Sequence, residues 1–244
     1  HHVGNVYDEP WLTLHNRAEG KIEYTNLMFI PSSKPFDLMN PDRKNRLHLY
    51  VKRVFITDDC DDLMPAYLRF VRGIVDSEDL PLNVSREMLQ HNVVVKRIRS
   101  ALMRRIFNEL KKKAEKSPEE FTQFWQNFGA VLKEGLYEDH ENRDKLLEIV
   151  RFNSTASDDL ISLAEYVERM KKGQEDIFYI SGEGLDLVKG SPQLEGFRAR
   201  GIEVLLMTDA VDEFWLPMVG KFDNKPFTSA TSGSVNLTKI KDDT

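Results

Sequence analysis

The segment Leu80-Pro81-Leu82-Asn83-Val84-Ser85-Arg86-Glu87-Met88-Leu89-Gln90 sets one arginine at the mouth of a helix, behind a proline and among polar neighbours. A guanidinium is always charged, and its planar fork of N–H donors matches phosphate oxygens. Pro81 fixes its own φ and pushes Leu80 towards extended backbone, which stiffens the approach. Ser85 suits a helix N-cap, so backbone N–H groups could point the same way as Arg86. Asn83 and Gln90 add neutral donors. The alternative is an ordinary capped helix start carrying a solvated arginine, and residue types alone favour that plainer reading.

Other chemistry is thinly supported. There is no GxxxxGK[ST] run, and Gly182-Glu183-Gly184 has Leu187 where a third glycine of a dinucleotide fingerprint would stand. His1, His2, His15, His48, His91 and His140 show no HExxH and no paired ligand spacing, so no metal is expected. Cys60 lies among Asp58, Asp59, Asp61 and Asp62, and carboxylates raise a thiol's pKa, which argues against a nucleophile. No GxSxG elbow is present. Lys96, Arg97, Arg99, Arg104, Arg105, Lys111, Lys112, Lys113 and Lys116 make one predicted helix strongly basic. A solvated face that meets an acidic partner is favoured there over nucleic acid, because the net charge is −6. In Asp209 to Met218, Phe214, Trp215, Leu216 and Met218 stand beside acids, and either a core helix or an exposed patch would account for them. The residue types favour the core.

The chain has 244 residues, 41% of them hydrophobic and 30% charged, which describes a globular protein with a substantial core. A single cysteine excludes an internal disulfide framework and fits a reducing compartment. No apolar run approaches the ~20 residues of a membrane span, and no signal peptide is visible. The chain opens on His1-His2 rather than Met, and reads as a piece of a longer protein.

Several elements must position these residues. Ile22–Ile30 and Leu47–Ile56 read as strands, separated by a loop carrying Pro31, Pro35 and Pro41. Leu63, Tyr67, Phe70 and Val71 sit at helical spacing, with Gly73 closing the helix. From Ser85 to about Glu115 the pattern is helical, with Leu89, Val93, Ile98, Leu102, Ile106 and Leu110 as the buried stripe. Ser117-Pro118-Glu119-Glu120 starts another helix, which runs through Phe121, Phe124, Trp125 and Phe128 and ends at Gly135. A further helix is expected from about Glu141 to Val150. Ser162 and Glu165 form a capping box, Asp176–Ile180 is a strand, and Ser191-Pro192 opens a helix that Gly201 ends. Ile202–Met207 is then a buried strand, so a parallel βαβ unit is expected.

The order of motifs goes further. Leu49 to Asp58 and Tyr67 to Glu87 closely resemble the middle segment of the heat-shock protein 90 chaperones. So do Arg151-Phe152-Asn153-Ser154-Thr155, Tyr166-Val167-Glu168-Arg169-Met170 and Gly201-Ile202-Glu203-Val204-Leu205-Leu206. The likeness runs nearly end to end, and Asn16-Arg17-Ala18-Glu19-Gly20-Lys21 resembles the bacterial branch. The resemblance implies an α/β fold of two αβα sandwich subdomains, large then small, joined by a short helical connector: 1–115, 116–150 and 151–244. It implies a chaperone ATPase in which a separate N-terminal domain holds ATP with Mg, so that this chain is no enzyme alone and carries no cofactor. A C-terminal domain would dimerise the protein. Arg86 matches the family's phosphate-contacting arginine. Asn83 and Gln90 match supporting residues, and Phe55 matches an aromatic that helps place the loop. Trp11, Glu213, Phe214 and Trp215 fall where unfolded client proteins are expected to touch. The implied location is the bacterial cytoplasm, with a mitochondrial matrix as the alternative. Two rival readings remain: a client-binding or co-chaperone-binding module in which Arg86 only caps a helix, and nucleic-acid binding by the Lys96–Lys116 helix.

Overall fold

A computed structural model describes residues 9–240, apart from 41, 45 and 234. The His1-His2 opening, Pro41 of the expected loop and the Lys241–Thr244 tail lie outside the described residues. The chain divides into two compact units, His1–Val131 and Leu132–Thr244.

The first unit holds strands β1 (Pro10–Ala18), β2 (Tyr24–Pro31), β3 (Arg46–Val51), β4 (Val54–Thr57) and β5 (Arg72–Ser77). They form one five-stranded sheet in the order β1-β2-β5-β3-β4. β3 and β5 run parallel, and the other pairs are antiparallel. β2 and β3 alternate buried and part-exposed residues, with Met28, Ile30, Leu47, Leu49 and Val51 facing the core.

Two expectations fail here, and for physical reasons. Leu47–Ile56 is two strands joined at Lys52-Arg53, both at positive φ (48° and 68°) with neither glycine nor asparagine to signal the turn. Bonds from elsewhere hold it: Lys52 N–H donates to Ser77 O (3.0 Å) and Arg53 N–H to Asp76 Oδ1 (3.0 Å). Gly73 ends no helix. It sits inside β5, the strand between β2 and β3, at φ +139°, and a Cβ there would stand 2.1 Å from Leu27 O. The Leu63–Val71 stretch contains only a 3₁₀ turn at Ala66–Leu68, although Leu63, Tyr67, Phe70 and Val71 are all buried as their spacing suggested.

The helical stretch is also broken. α1 (Arg86–Leu89) is one turn, and α2 (Val93–Lys116) begins afresh with Asn92 Oδ1 accepting from Val94 N–H (2.8 Å) and Val95 N–H (3.3 Å). The buried face of α2 includes Val95, Ile98, Leu102, Ile106 and Leu110, whereas Val93 is exposed. Burying each such side chain stabilises by about 1.5–3 kcal/mol. α3 (Pro118–Glu138) starts at the expected Pro118 but runs past Gly135. Its first half carries Phe124 and Phe128 onto Phe70, with Phe70–Phe128 stacked at 5.0 Å, and Phe121 packs on Phe124 at 5.4 Å.

The second unit contains α4 (Arg143–Ile149), β6 (Asn153–Ser154), α5 (Leu163–Glu168), β7 (Ile177–Ser181), α6 (Leu185–Lys189), α7 (Glu195–Arg198), β8 (Leu205–Met207), α8 (Asp212–Val219), β9 (Lys221–Phe222) and β10 (Lys225–Ser229). Its sheet runs β6-β8-β7-β10-β9. β7 and β8 are parallel, as the βαβ reading requires, and Gly201 takes a left-handed φ of +61° before β8. The capping box at Ser162 and Glu165 is formed in both directions. Phe178, Ile180, Leu194, Phe197, Val204 and Leu206 make the core. The architecture is mixed α/β with two sheets, in agreement with the fold class expected from the sequence.

Candidate functional site

The Leu80–Gln90 segment leaves β5 through a turn in which Ser77 Oγ accepts from Asp79 N–H and Leu80 N–H, each at 3.3 Å. Leu80, Val84 and Leu89 are buried and tie the segment down, while Leu82 and Met88 project outward. Ser85 caps α1 as expected, its Oγ accepting from Met88 N–H at 3.4 Å. α1 has only four residues, so it adds no appreciable dipole towards an anion. The positive charge the segment offers a phosphate is therefore that of the Arg86 side chain, which is 63% exposed.

Arg86 is not merely solvated. Its Nη2 donates to Asp59 Oδ2, and Lys44 Nζ lies 3.9 Å from the same oxygen. At the far end of α1, His91 takes a left-handed φ of +59°, and its N–H donates to Asp62 Oδ2 at 2.5 Å. Arg99 Nη1 donates to Asp61 O at 3.4 Å. Asp59 to Asp62 thus embrace the arginine turn, and a pocket of about 290 Å³ between them is lined by Asp59, Asp61, Asp62, Arg86, Gln90 and His91 among others. Gln90 is exposed at the end of α1 and shares this pocket with Arg86. Asn83 is exposed but lies outside that lining, as does Phe55. Phe55 is half-exposed on β4, with its ring edge-on to Tyr50 (5.6 Å) and His48 (6.0 Å).

In the sequence the Asp58–Asp62 run bears only on the Cys60 thiol. The signal for its second role is only that four of these five residues are acidic and share one loop. Cys60 is buried, and its thiol is pushed up to about 11 first by that burial, with Asp62 and Asp61 adding smaller contributions. It is no nucleophile, although desolvation outweighs the carboxylates as the reason.

Among the other sequence candidates, Trp11 is half-buried, stacked on Phe124 at 4.7 Å, and donates its indole N–H to Glu120 O at 3.0 Å. Phe214 is 60% exposed, beside exposed Glu213 and Met218, and Tyr137 meets it edge-on at 6.3 Å. Trp215 is 0% exposed, which corrects the expectation that it could face a client. Its indole N–H donates to Asp212 Oδ1 (2.7 Å), and Phe152 and Phe227 flank the ring. Asp212 is itself fully buried and holds Lys133 Nζ at 2.9 Å, with Asp209 Oδ2 accepting from the same ammonium at 2.9 Å. The basic residues Lys96, Arg97, Arg104, Arg105 and Lys112 of α2 line a groove of about 790 Å³ with Lys21. Among the described residues no cluster could hold a metal ion, and no helix is long and apolar enough to cross a membrane.

With this geometry in place, the relationships are plain. A family model described as "Hsp90 protein" matches residues 1–244, and the chain belongs to the Hsp90 family. It is 58% identical over 241 residues to the chaperone protein HtpG of Paramagnetospirillum magneticum, covering 99% of this chain and 39% of that protein. With HtpG of Rickettsia rickettsii it shares 54% over 230 residues, 94% of this chain and 37% of the relative. The chain therefore spans about 39% of the length of the first of these relatives. Among solved structures, the middle domain of a Plasmodium falciparum heat shock protein superposes with a TM-score of 0.80 at 32% identity, over 93% of this chain and 90% of that one. This chain has the fold of an Hsp90 chaperone middle segment.

Proposed function

We propose that the chain is the middle segment of an ATP-dependent chaperone, and that Arg86 completes an ATP site held by a separate N-terminal domain. The observation that carries this reading is the exposed guanidinium at the head of a short capped turn, in a chain that matches the Hsp90 family throughout. ATP with Mg, when bound to that other domain, supplies the phosphoanhydride that is cleaved. This chain's part is to bring Arg86 to the phosphate oxygens and stabilise charge there. Gln90 and Asn83 support the loop, and Phe55 helps to place it. Residues 116–150 serve as the connector between the two subdomains. A C-terminal domain makes the homodimer, in a bacterial cytoplasm.

Client proteins are taken up on the exposed face around Glu213 and Phe214, with Trp11 as a further contact. An exposed aromatic beside Met218 suits non-native apolar segments. In the full-length chaperone, Arg86→Ala should lower ATP turnover, though by less than the roughly 10³–10⁵ contributed by arginine fingers that act fully on the chemical step. Wild-type turnover in that variant would overturn the reading. A client-binding module without a catalytic role is the alternative, favoured by the pairing of Arg86 with Asp59. It would be supported if Phe214→Ser lost clients while Arg86→Ala left turnover unchanged.

A further inference from the structure

The arginine assigned to the phosphate already holds a carboxylate. Nη2 of Arg86 donates to Asp59 Oδ2, so while the pair stands the guanidinium is aimed at the carboxylate and part of its charge is compensated there. The pocket around the pair cannot itself take the nucleotide. Three carboxylates, those of Asp59, Asp61 and Asp62, line it against the single guanidinium, so a phosphate is repelled from it. On the reading above, Arg86 meets the phosphate by turning its exposed side chain away from Asp59.

The surroundings are arranged for that exchange. Leu89 is buried and His91 N–H is fixed on Asp62 Oδ2 at 2.5 Å, so the base of α1 is held at its far end. Arg86 stands at the opposite end, on an exposed side chain that turns about its own χ angles without unwinding the helix. Lys44 Nζ lies 3.9 Å from the oxygen that Arg86 leaves, so the Asp59 charge keeps a cation nearby.

We propose that Asp59 is a positioning residue for the ATPase: it parks Arg86 until the nucleotide phosphate competes for the guanidinium, with Lys44 taking over the carboxylate. The inference rests on the reading of Arg86 given above. An exposed ion pair of this kind is weak, which makes it a tunable restraint rather than a lock.

The test uses the full-length chaperone with Asp59→Asn, Arg86→Ala and the double variant. Asp59→Asn should raise kcat for ATP about 1.5- to 5-fold, the range an exposed ion pair can supply, with KM unchanged. The double variant should turn over ATP like Arg86→Ala alone, because a parking residue has no effect once the parked group is gone. Hydrogen exchange of the Leu89 and Gln90 amides should stay at the wild-type rate in Asp59→Asn, since Asp62 still holds α1. An unchanged or lowered kcat in Asp59→Asn, with Arg86→Ala impaired, overturns the parking role and leaves the Arg86 reading standing. So does a gain that persists without Arg86, or faster exchange in α1. Wild-type turnover of Arg86→Ala instead overturns the reading on which the inference stands.

Discussion

Replacing Lys133 by Met removes a buried cation from a buried carboxylate while nearly conserving volume. The Lys133 side chain is 4% exposed, and its Nζ donates to Asp212 at 2.9 and 3.2 Å and to Asp209 at 2.9 Å. In Lys133→Met, Asp212 keeps two donors, Trp215 Nε1–H (2.7 Å) and Asp209 N–H (3.1 Å), but its charge loses the cation that compensates it. Breaking a buried pair from one side costs about 3–5 kcal/mol, most of it the uncompensated charge, because the methionine leaves little cavity. With a urea slope of about 1–3 kcal/mol/M, the transition of the second unit should move down by roughly 2 M, followed by circular dichroism. Neutralising the stranded acid should then help: Lys133→Met with Asp212→Asn should be more stable than Lys133→Met alone, although Asp212→Asn alone destabilises. A loss below about 1 kcal/mol in Lys133→Met, or no recovery in the double variant, would refute the claim that charge compensation holds this network together. The network matters beyond stability, because Asp212 anchors Trp215 inward and so fixes which side of α8 leaves Phe214 outside.

Further outcomes are expected elsewhere. Gly73→Ala should cost more than about 4 kcal/mol or prevent folding, measured as soluble yield and urea midpoint, because the new Cβ meets Leu27 O at 2.1 Å on a central strand at φ +139°. Tyr166→Phe should cost about 2–4 kcal/mol by the same measure: its hydroxyl donates to Glu203 O (2.8 Å) and accepts from Phe178 N–H (2.9 Å) and Gln174 Nε2–H (3.0 Å), and all three partners stay behind. Cys60 should react very slowly with thiol reagents at pH 8 in the native state, with about one part in a thousand as thiolate, because its folded pKa is pushed up to about 11. The unfolded chain loses that proton near 9, so the folded state binds it more tightly, and this contribution to stability falls as pH rises from about 9 to about 11.

Much of the fold is legible in local pattern. Ser85, Asn92 and Ser162 cap helices through their own side chains, and such bonds span only two or three residues. The alternation of β2 and the stripe of α2 are equally local, since each repeats with the period of its element. What fails is what depends on partners far along the chain. The Lys52-Arg53 turn exists because Asp76 and Ser77 of β5 receive its N–H groups. Gly73 is required by the approach of β2, not by the end of a helix. Phe214 and Trp215 are adjacent aromatics of similar character, and only the buried Asp212, itself held by Lys133 some 79 residues earlier in the chain, decides which one turns inward.

The family, the mixed α/β class and the interest of Arg86 are legible in the order of residues, because long motifs and residue chemistry do not depend on the fold. The tertiary structure alone decided where that arginine rests. Asp59 and Arg86 are 27 residues apart, and no periodicity links a loop carboxylate to a helix start at that separation. Their pairing is set by the path of β5 and the short turn of α1, which bring the two charges together.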